Sequence, residues 1–351
     1  MRRIETCFIV LAVIFYAWFI SHYGLSDLLG YVRLVGWGLA GTIAFESISR
    51  IFNTFGWRAT IEDYPPDLSF LELFAARIGG EAVDYTTPSA QLGGQVVMAL
   101  TVRQRLRMPI GLASVAVAAL AEMLGQIGFV MIALFFSLRL VPIAARLSWA
   151  IIGGFSIAVV LSGLFFFVQR KQPFTHLFKA AARLDLSRLK TDELRDAAAE
   201  ADSVLADFYA HHRLRFLVSC LCYVVAWSMG PVEIYILLRL IGHPGSMQIA
   251  MLVEAAGLLV ERAFFLIPGK LVSQEGGKAF ILSMLGYPAG VGFVVGFLRR
   301  IKELVWVAFG LLALMIHRII TERSAGASKT PAPVIKGQVV KIKRAQGEHS
   351  L

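Results

Sequence analysis

Long apolar runs dominate the chain, and most polar residues fall between the runs. The stretches 7–20, 110–136 and 150–168 are each near or beyond the roughly 18–20 residues with which a helix crosses about 30 Å of hydrocarbon. Repeated runs of this length predict a helical bundle, because an open sheet would leave backbone groups unpaired in lipid. The pattern places full spans at about 7–23, 33–52, 110–137, 147–169, 215–240 and 289–317. The first run follows Met1-Arg2-Arg3 but shows no small-x-small cleavage site, so it reads as a first transmembrane helix and not as a leader.

Two further apolar stretches, 68–102 and 247–286, are interrupted near their middles. The first break is Thr86-Thr87-Pro88-Ser89-Ala90-Gln91-Leu92-Gly93-Gly94-Gln95, and the second runs from Ile267-Pro268-Gly269-Lys270 to Gln274-Glu275-Gly276-Gly277-Lys278. Proline removes a backbone donor and clashes with the preceding turn, and glycine weakens the helix further. Broken helix at membrane depth is tolerated only where protein or water satisfies the freed groups. Each stretch therefore reads as a re-entrant hairpin that enters as a helix, turns, and returns to the same side. The two share an order of apolar helix, Pro, short polar link, Gly-Gly and apolar helix, which points to an internal repeat. Paired Gly/Pro-interrupted segments are the sequence signature of a transporter's binding site.

With the N-terminus inside, this arrangement puts the basic clusters on one face. Arg50, Arg58, Arg103, Arg105, Arg107, Arg170 and Lys171 fall inside, as does a basic tail from 324 to 351 that has no hydrophobic period. The hairpins then open from opposite faces, as an inverted repeat requires. The fold class expected is an all-α polytopic membrane protein with about six spans and two broken hairpins over 1–323. A cytoplasmic segment over 170–214 carries one helix, from Thr191-Asp192-Glu193 to about His211.

Composition agrees with this picture: 57% of the 351 residues are hydrophobic, against about 45–50% in soluble chains. The net charge of +10 reads as cytoplasmic loops and contact with anionic headgroups, not with nucleic acid. Cys7, Cys220 and Cys222 lie in apolar stretches and read as small core residues. No Walker loop, His-Glu-x-x-His or Gly-x-Ser-x-Gly pattern is present, so neither covalent chemistry nor a cofactor is expected. The adjacent His211 and His212 read as solvated residues without a metal.

Ionisable residues inside spans are costly and are functional candidates for that reason. Arg299-Arg300-Ile301-Lys302-Glu303 interrupts the last apolar run. Its arginines face either a lipid phosphate or an internal carboxylate such as Glu254, Glu261 or Glu122. Arg77 and Glu81, four apart, either pair with each other or offer Arg77 to a headgroup. Glu46 and Arg50 read as an internal pair, while Glu122 and Glu233 are bundle-interior residues without an assigned role. Lys270 and Glu275 flank the second break, where they either cradle an anion or cap helix ends. The lipid-contacting candidates are Arg77, Glu81, Pro88, Gln95, Arg262, Lys270, Glu275, Arg299 and Arg300.

The elements Gly80-Glu81, Thr87-Pro88 and Gly93-Gly94, matched in order by Ile267-Pro268-Gly269, Gln274-Glu275-Gly276 and Leu285-Gly286, carry a family resemblance. Over about residues 5–320 the chain resembles the transmembrane region of the lysylphosphatidylglycerol synthases, also described as flippase-like membrane proteins. The branch found with hopanoid-lipid biosynthesis is one placement this allows. The resemblance implies an inverted repeat with re-entrant helices and movement of lipid between leaflets. Some relatives carry a fused aminoacyl-transferase domain, and that half of the family name is not carried over here. Many relatives have an acidic residue after the first Gly-Gly and a basic one three positions on; here Gln95 and Met98 stand there. Lys270 and Ser273 stand where relatives tend to have Gly. These departures favour a less charged lipid over a typical phospholipid. The expected function is lipid transport in a bacterial inner membrane, with lipid-biosynthesis proteins as possible partners. A membrane enzyme partner or a scaffold is the alternative.

Overall fold

A computed structural model describes residues 30–31, 33–62, 64–87, 92–138, 145–183, 192–263 and 273–327, which contain helices and no strand. The expected span over 7–23 and residues 328–351 of the expected tail lie outside them. In chain order the principal helices are α1 (Trp37–Ala59), α2 (Phe70–Thr86), α3 (Leu92–Thr101), α4 (Met108–Leu138) and α5 (Ala145–Gln169). They continue with α6 (Pro173–Arg183), α7 (Asp192–His211), α8 (Arg213–Leu240), α9 (Met247–Ala263), α10 (Ser273–Met284) and α11 (Ala289–Ala327). The chain divides into two compact units, Met1–Leu314 and Met315–Leu351. The contacts below lie within the first; the second contains the C-terminal turns of α11.

Four helices among the described residues are long and apolar enough to cross a membrane: Met108–Ser137, Ile152–Gln169, Arg213–Leu240 and Gly290–Thr321. These match four of the expected spans. The expected span over 33–52 overlaps α1, which lies further along the chain and whose 23 residues reach about 35 Å. α1 is not among those four. Side chains such as Phe135, Phe136, Val160, Leu161 and Leu311 are exposed, as a lipid-facing surface requires.

Both interrupted stretches fold as pairs of helices. In the first, α2 packs on α3, with Gly80 against Gly94 and Met98, and Asp84 against Gly94. In the second, α9 packs on α10, with Gly257 and Glu261 near Lys278, and Val260 against Gly277. In each pair the later residues of one helix meet the earlier residues of the next, so both are antiparallel hairpins. At 10 and 12 residues, α3 and α10 reach only about 15–18 Å and cannot cross a bilayer. The start of α2 is fixed by a capping box: Ser69 Oγ accepts from the Glu72 N–H (3.1 Å), and the Ser69 N–H donates to the Glu72 carboxylate (2.9 Å).

The order of long helix, short-helix hairpin and long helix occurs twice, as α1–α4 and as α8–α11. The leading helices of the two halves, α1 and α8, pack closely and antiparallel. Ser219 Oγ donates to Gly56 O (2.8 Å) near one end of the pair, and Ser49 Oγ to Ala226 O (3.2 Å) near its middle. Gly38 meets Leu240 at the other end. The halves therefore run in opposite senses, which is the geometry of an inverted repeat.

Between the halves, segment 170–214 is more structured than its polarity suggested. It holds the expected α7 and an additional short helix, α6, that packs on it. The carboxylate of Asp202 on α7 accepts the Phe174 and Thr175 N–H groups (3.0 and 2.9 Å), capping α6 from another element. Leu205 and Phe208 of α7 are buried in a cluster with Ala113 and Val117 of α4, so α7 is docked and not simply solvated. Tyr209 of α7 donates its hydroxyl to Gln169 at the end of α5. Burial pushes the Tyr209 phenol above its usual range.

Candidate functional site

One turn of α11 binds charged and polar groups from five other helices. Arg299 makes a two-pronged contact with Glu254 of α9 (Nη2–Oε1 3.1 Å), and its Nε lies 3.2 Å from Glu233 of α8. Arg300 grips Glu275 of α10 with Nε and Nη2 (2.8 and 3.1 Å) and donates to the Tyr85 hydroxyl of α2 at 2.5 Å. Lys302 Nζ donates to Glu233 at 2.7 Å and to Glu46 of α1 at 2.8 Å. Glu303 accepts from Gln274 Nε2 of α10 at 3.1 Å. One turn further on, Trp306 donates its indole N–H to Ile43 O of α1 at 3.1 Å.

The spacing explains why one turn can do this. At about 100° per residue, positions 299, 300, 302 and 303 fan across an arc of roughly 160°, so one broad face of the helix meets several neighbours. Small residues bring those neighbours close. A Cβ at Gly292 would strike the backbone at Lys278 and Ala279, and one at Gly296 would strike the backbone at Glu275. Gly230 leaves the space that the Glu254 carboxylate fills. Such close backbone approach is how membrane helices gain packing energy without a hydrophobic driving force.

The first half carries its own cluster. Arg77 of α2 pairs with Glu81 (2.8 Å) and with Glu122 of α4 (2.9 Å). Arg50 of α1 pairs with Glu81 and lies 3.5 Å from Glu46. Glu46 then joins the two clusters through Lys302. An unbroken charge chain therefore runs through Glu122, Arg77, Glu81, Arg50, Glu46, Lys302, Glu233, Arg299 and Glu254. A charge at bilayer depth needs a partner, and here each one has a counter-ion on another helix or on the next turn.

The hairpins place equivalent positions differently. Glu81 and Glu261 each lie seven residues before the break proline, Pro88 or Pro268, and Gln95 and Lys278 each follow the Gly-Gly pair directly. Lys278 Nζ reaches Glu261 across the second hairpin at 3.4 Å. The half-buried Gln95 carries no charge, and Glu81 is held by Arg77 and Arg50 instead.

Of the residues singled out from the sequence, Arg77, Glu81, Glu275, Arg299 and Arg300 belong to these clusters. In the structure each of these arginines pairs with an internal carboxylate. Glu275 sits in the first turn of α10, fully buried against Arg300. Pro88 and Lys270 lie outside the described residues, as does the side chain of Arg262 in the last turn of α9. Glu46, Glu122 and Glu233, to which the sequence assigned an internal pair or no role, connect the clusters together with Lys302 of the charged run in α11. Tyr85 and Gln274 were not singled out as site residues. The signal for them was position, since each lies on a helix beside a break.

The arrangement can exchange one ion-pair partner for another. A headgroup phosphate could replace a carboxylate on an arginine, and a headgroup cation could replace an arginine on a carboxylate, with little change in local charge. The search of curated proteins and that of solved structures each return no match. The family model described as "Lysylphosphatidylglycerol synthase TM region" matches residues 7–311. Spanning helices, paired half-helix hairpins and this match together place the chain as a multi-pass membrane protein of the lysylphosphatidylglycerol synthase TM-region family.

Proposed function

We propose that this protein moves a membrane lipid between the leaflets of the bacterial inner membrane. The observation that carries this reading is the meeting of two half-helix hairpins, one from each oppositely running half, at a single charged turn of α11. A headgroup can cross at such a junction by exchanging ion pairs while its hydrocarbon tail stays in the bilayer. The exchange lowers the large desolvation cost of carrying a polar group through hydrocarbon. The hairpins open to opposite faces, so opening one and then the other gives each leaflet access in turn. Both termini face the cytoplasm in this reading. The protein transports and does not catalyse covalent chemistry; a phospholipid and a neutral polycyclic lipid of the hopanoid type are both candidate cargoes.

The test is transbilayer movement in vesicles containing the purified protein. Fluorescent phospholipid is incorporated in both leaflets, and an impermeant reductant bleaches the outer one. Protein-free vesicles keep roughly half of the signal, since the two leaflets are about equal. Vesicles with the protein should lose most of the remainder, and a sterol-like hopanoid probe should be compared in the same way. Intact, folded protein that moves none of these probes would overturn the reading in favour of a scaffold or partner in lipid synthesis.

A further inference from the structure

Away from the charge chain, the structure brings together a second polar cluster at the junction of α7 and α8. Glu62 follows the end of α1. Asp207 is on α7, and His212 stands between α7 and α8. One ligand atom from each of the three lies within 4.8 Å of the other two. His212 Nε2 is 2.7 Å from Glu62 Oε1, across 150 residues of sequence. The sequence, which shows only two neighbouring histidines, gives no sign of this convergence. His212 is half-buried and not solvated as expected from its polar surroundings.

The partners of its carboxylates set this cluster apart from the charge chain. Inside the bundle the carboxylates of the charge chain are neutralised by Arg or Lys. Among the described residues, neither Glu62 nor Asp207 has an Arg or Lys ion-pair partner; their partners are His212 (2.7 Å) and His211 (2.8 Å). Arg215 is close by, yet it donates to the backbone carbonyls of Ile61 (3.0 Å) and Glu62, not to a carboxylate. It therefore fixes the Glu62 backbone. His211 Nδ1 contacts Asp207 and orients that carboxylate, and the His212 ring packs against Phe208 with centroids 5.6 Å apart.

We propose that Glu62, Asp207 and His212 form a site for a divalent transition metal, with zinc the best match. One imidazole and two carboxylate oxygens suit a borderline cation, and the exposed side of Asp207 admits a water as fourth ligand. Donors around tetrahedral zinc lie about 3.3–3.4 Å apart, given bonds of roughly 2.0–2.1 Å. The His212–Glu62 contact must open by a fraction of an ångström, and Asp207 must move inwards. His211 is the positioning residue. The bound ion would tie α7, and with it the α6–α7 cap, to the mouth of the first half. It lies outside the candidate span that begins at Arg213, where aqueous metal has access.

The test uses full-length protein in detergent or nanodiscs, with any purification tag of histidines removed. Zinc, manganese, calcium and magnesium are titrated by calorimetry, and bound metal is counted by mass spectrometry after dialysis. The expected result is about one zinc per chain, manganese weaker, and no saturable response to calcium or magnesium. Glu62→Gln and Asp207→Asn should each weaken zinc by about tenfold or more, and His211→Ala by a smaller factor. His176→Ala, at an exposed histidine on α6, should leave binding unchanged. Melting of the metal-free variants establishes that each is folded, and zinc should raise the melting temperature of wild type only where the site is intact. Folded wild type with no saturable zinc binding overturns the proposal. So does binding that Glu62→Gln and Asp207→Asn both leave unchanged.

Discussion

Lys302 shows most clearly what a single residue does here. Its ammonium is buried and is shared between Glu46 and Glu233, which lie 256 and 69 residues away in sequence. Charge in a low-dielectric interior is tolerated only when paired, and losing one partner strands the other. Lys302→Met should therefore destabilise the protein by about 3–5 kcal/mol, the range for breaking a buried pair, and Lys302→Arg by less. Thermal melting in detergent checks this; a Lys302→Met protein that melts with wild type would show that these carboxylates do not depend on the lysine. The sequence marked such charges as significant because they interrupt apolar runs. It did not show which carboxylate meets which cation, since the pairing depends on how distant helices pack. The convergence of Glu62 on His212 was hidden for the same reason.

At the scale of elements, the hairpins were legible because proline and glycine break helices by local chemistry alone. Close packing of their arms was not. A Cβ at Gly94 would fall on the Gly80 carbonyl and the Asp84 carboxylate, so the two arms touch through bare backbone. Gly94→Val should prise α2 from α3 and lower stability by about 1–3 kcal/mol, as overpacking does. Gly163 on α5 has open space where a Cβ would stand. Gly163→Ala should be neutral or stabilise by up to about 1 kcal/mol through helix propensity. Melting of the two variants side by side reads the contrast, and equal effects would contradict the packing described. The short helix α6 escaped the sequence reading because its cap, Asp202, comes from another helix.

For the whole molecule, the inverted order of the halves has a consequence for topology. Asp67 lies at the mouth of the first hairpin and His243 near that of the second. In a background with Cys7, Cys220 and Cys222 replaced by Ala, Asp67→Cys and His243→Cys should react with a membrane-impermeant maleimide from opposite faces of the membrane. Labelling from the same face would contradict an inverted repeat. The sequence supported this topology through the one-sided distribution of arginine and lysine, and the antiparallel packing of α1 on α8 supports it independently.

The claim that joins these scales is that a headgroup passes where the hairpins meet the charged turn of α11. Its most direct test is transbilayer lipid movement by a variant that alters the junction while keeping its charge balance. Glu261→Gln with Lys278→Met removes one carboxylate and one cation of similar size together, from a pair that links α9 to α10. This variant should melt close to wild type yet move lipid about tenfold more slowly or less, a barrier change of about 1.4 kcal/mol or more. A folded double variant that moves lipid at the wild-type rate would show that the headgroup does not pass through this junction.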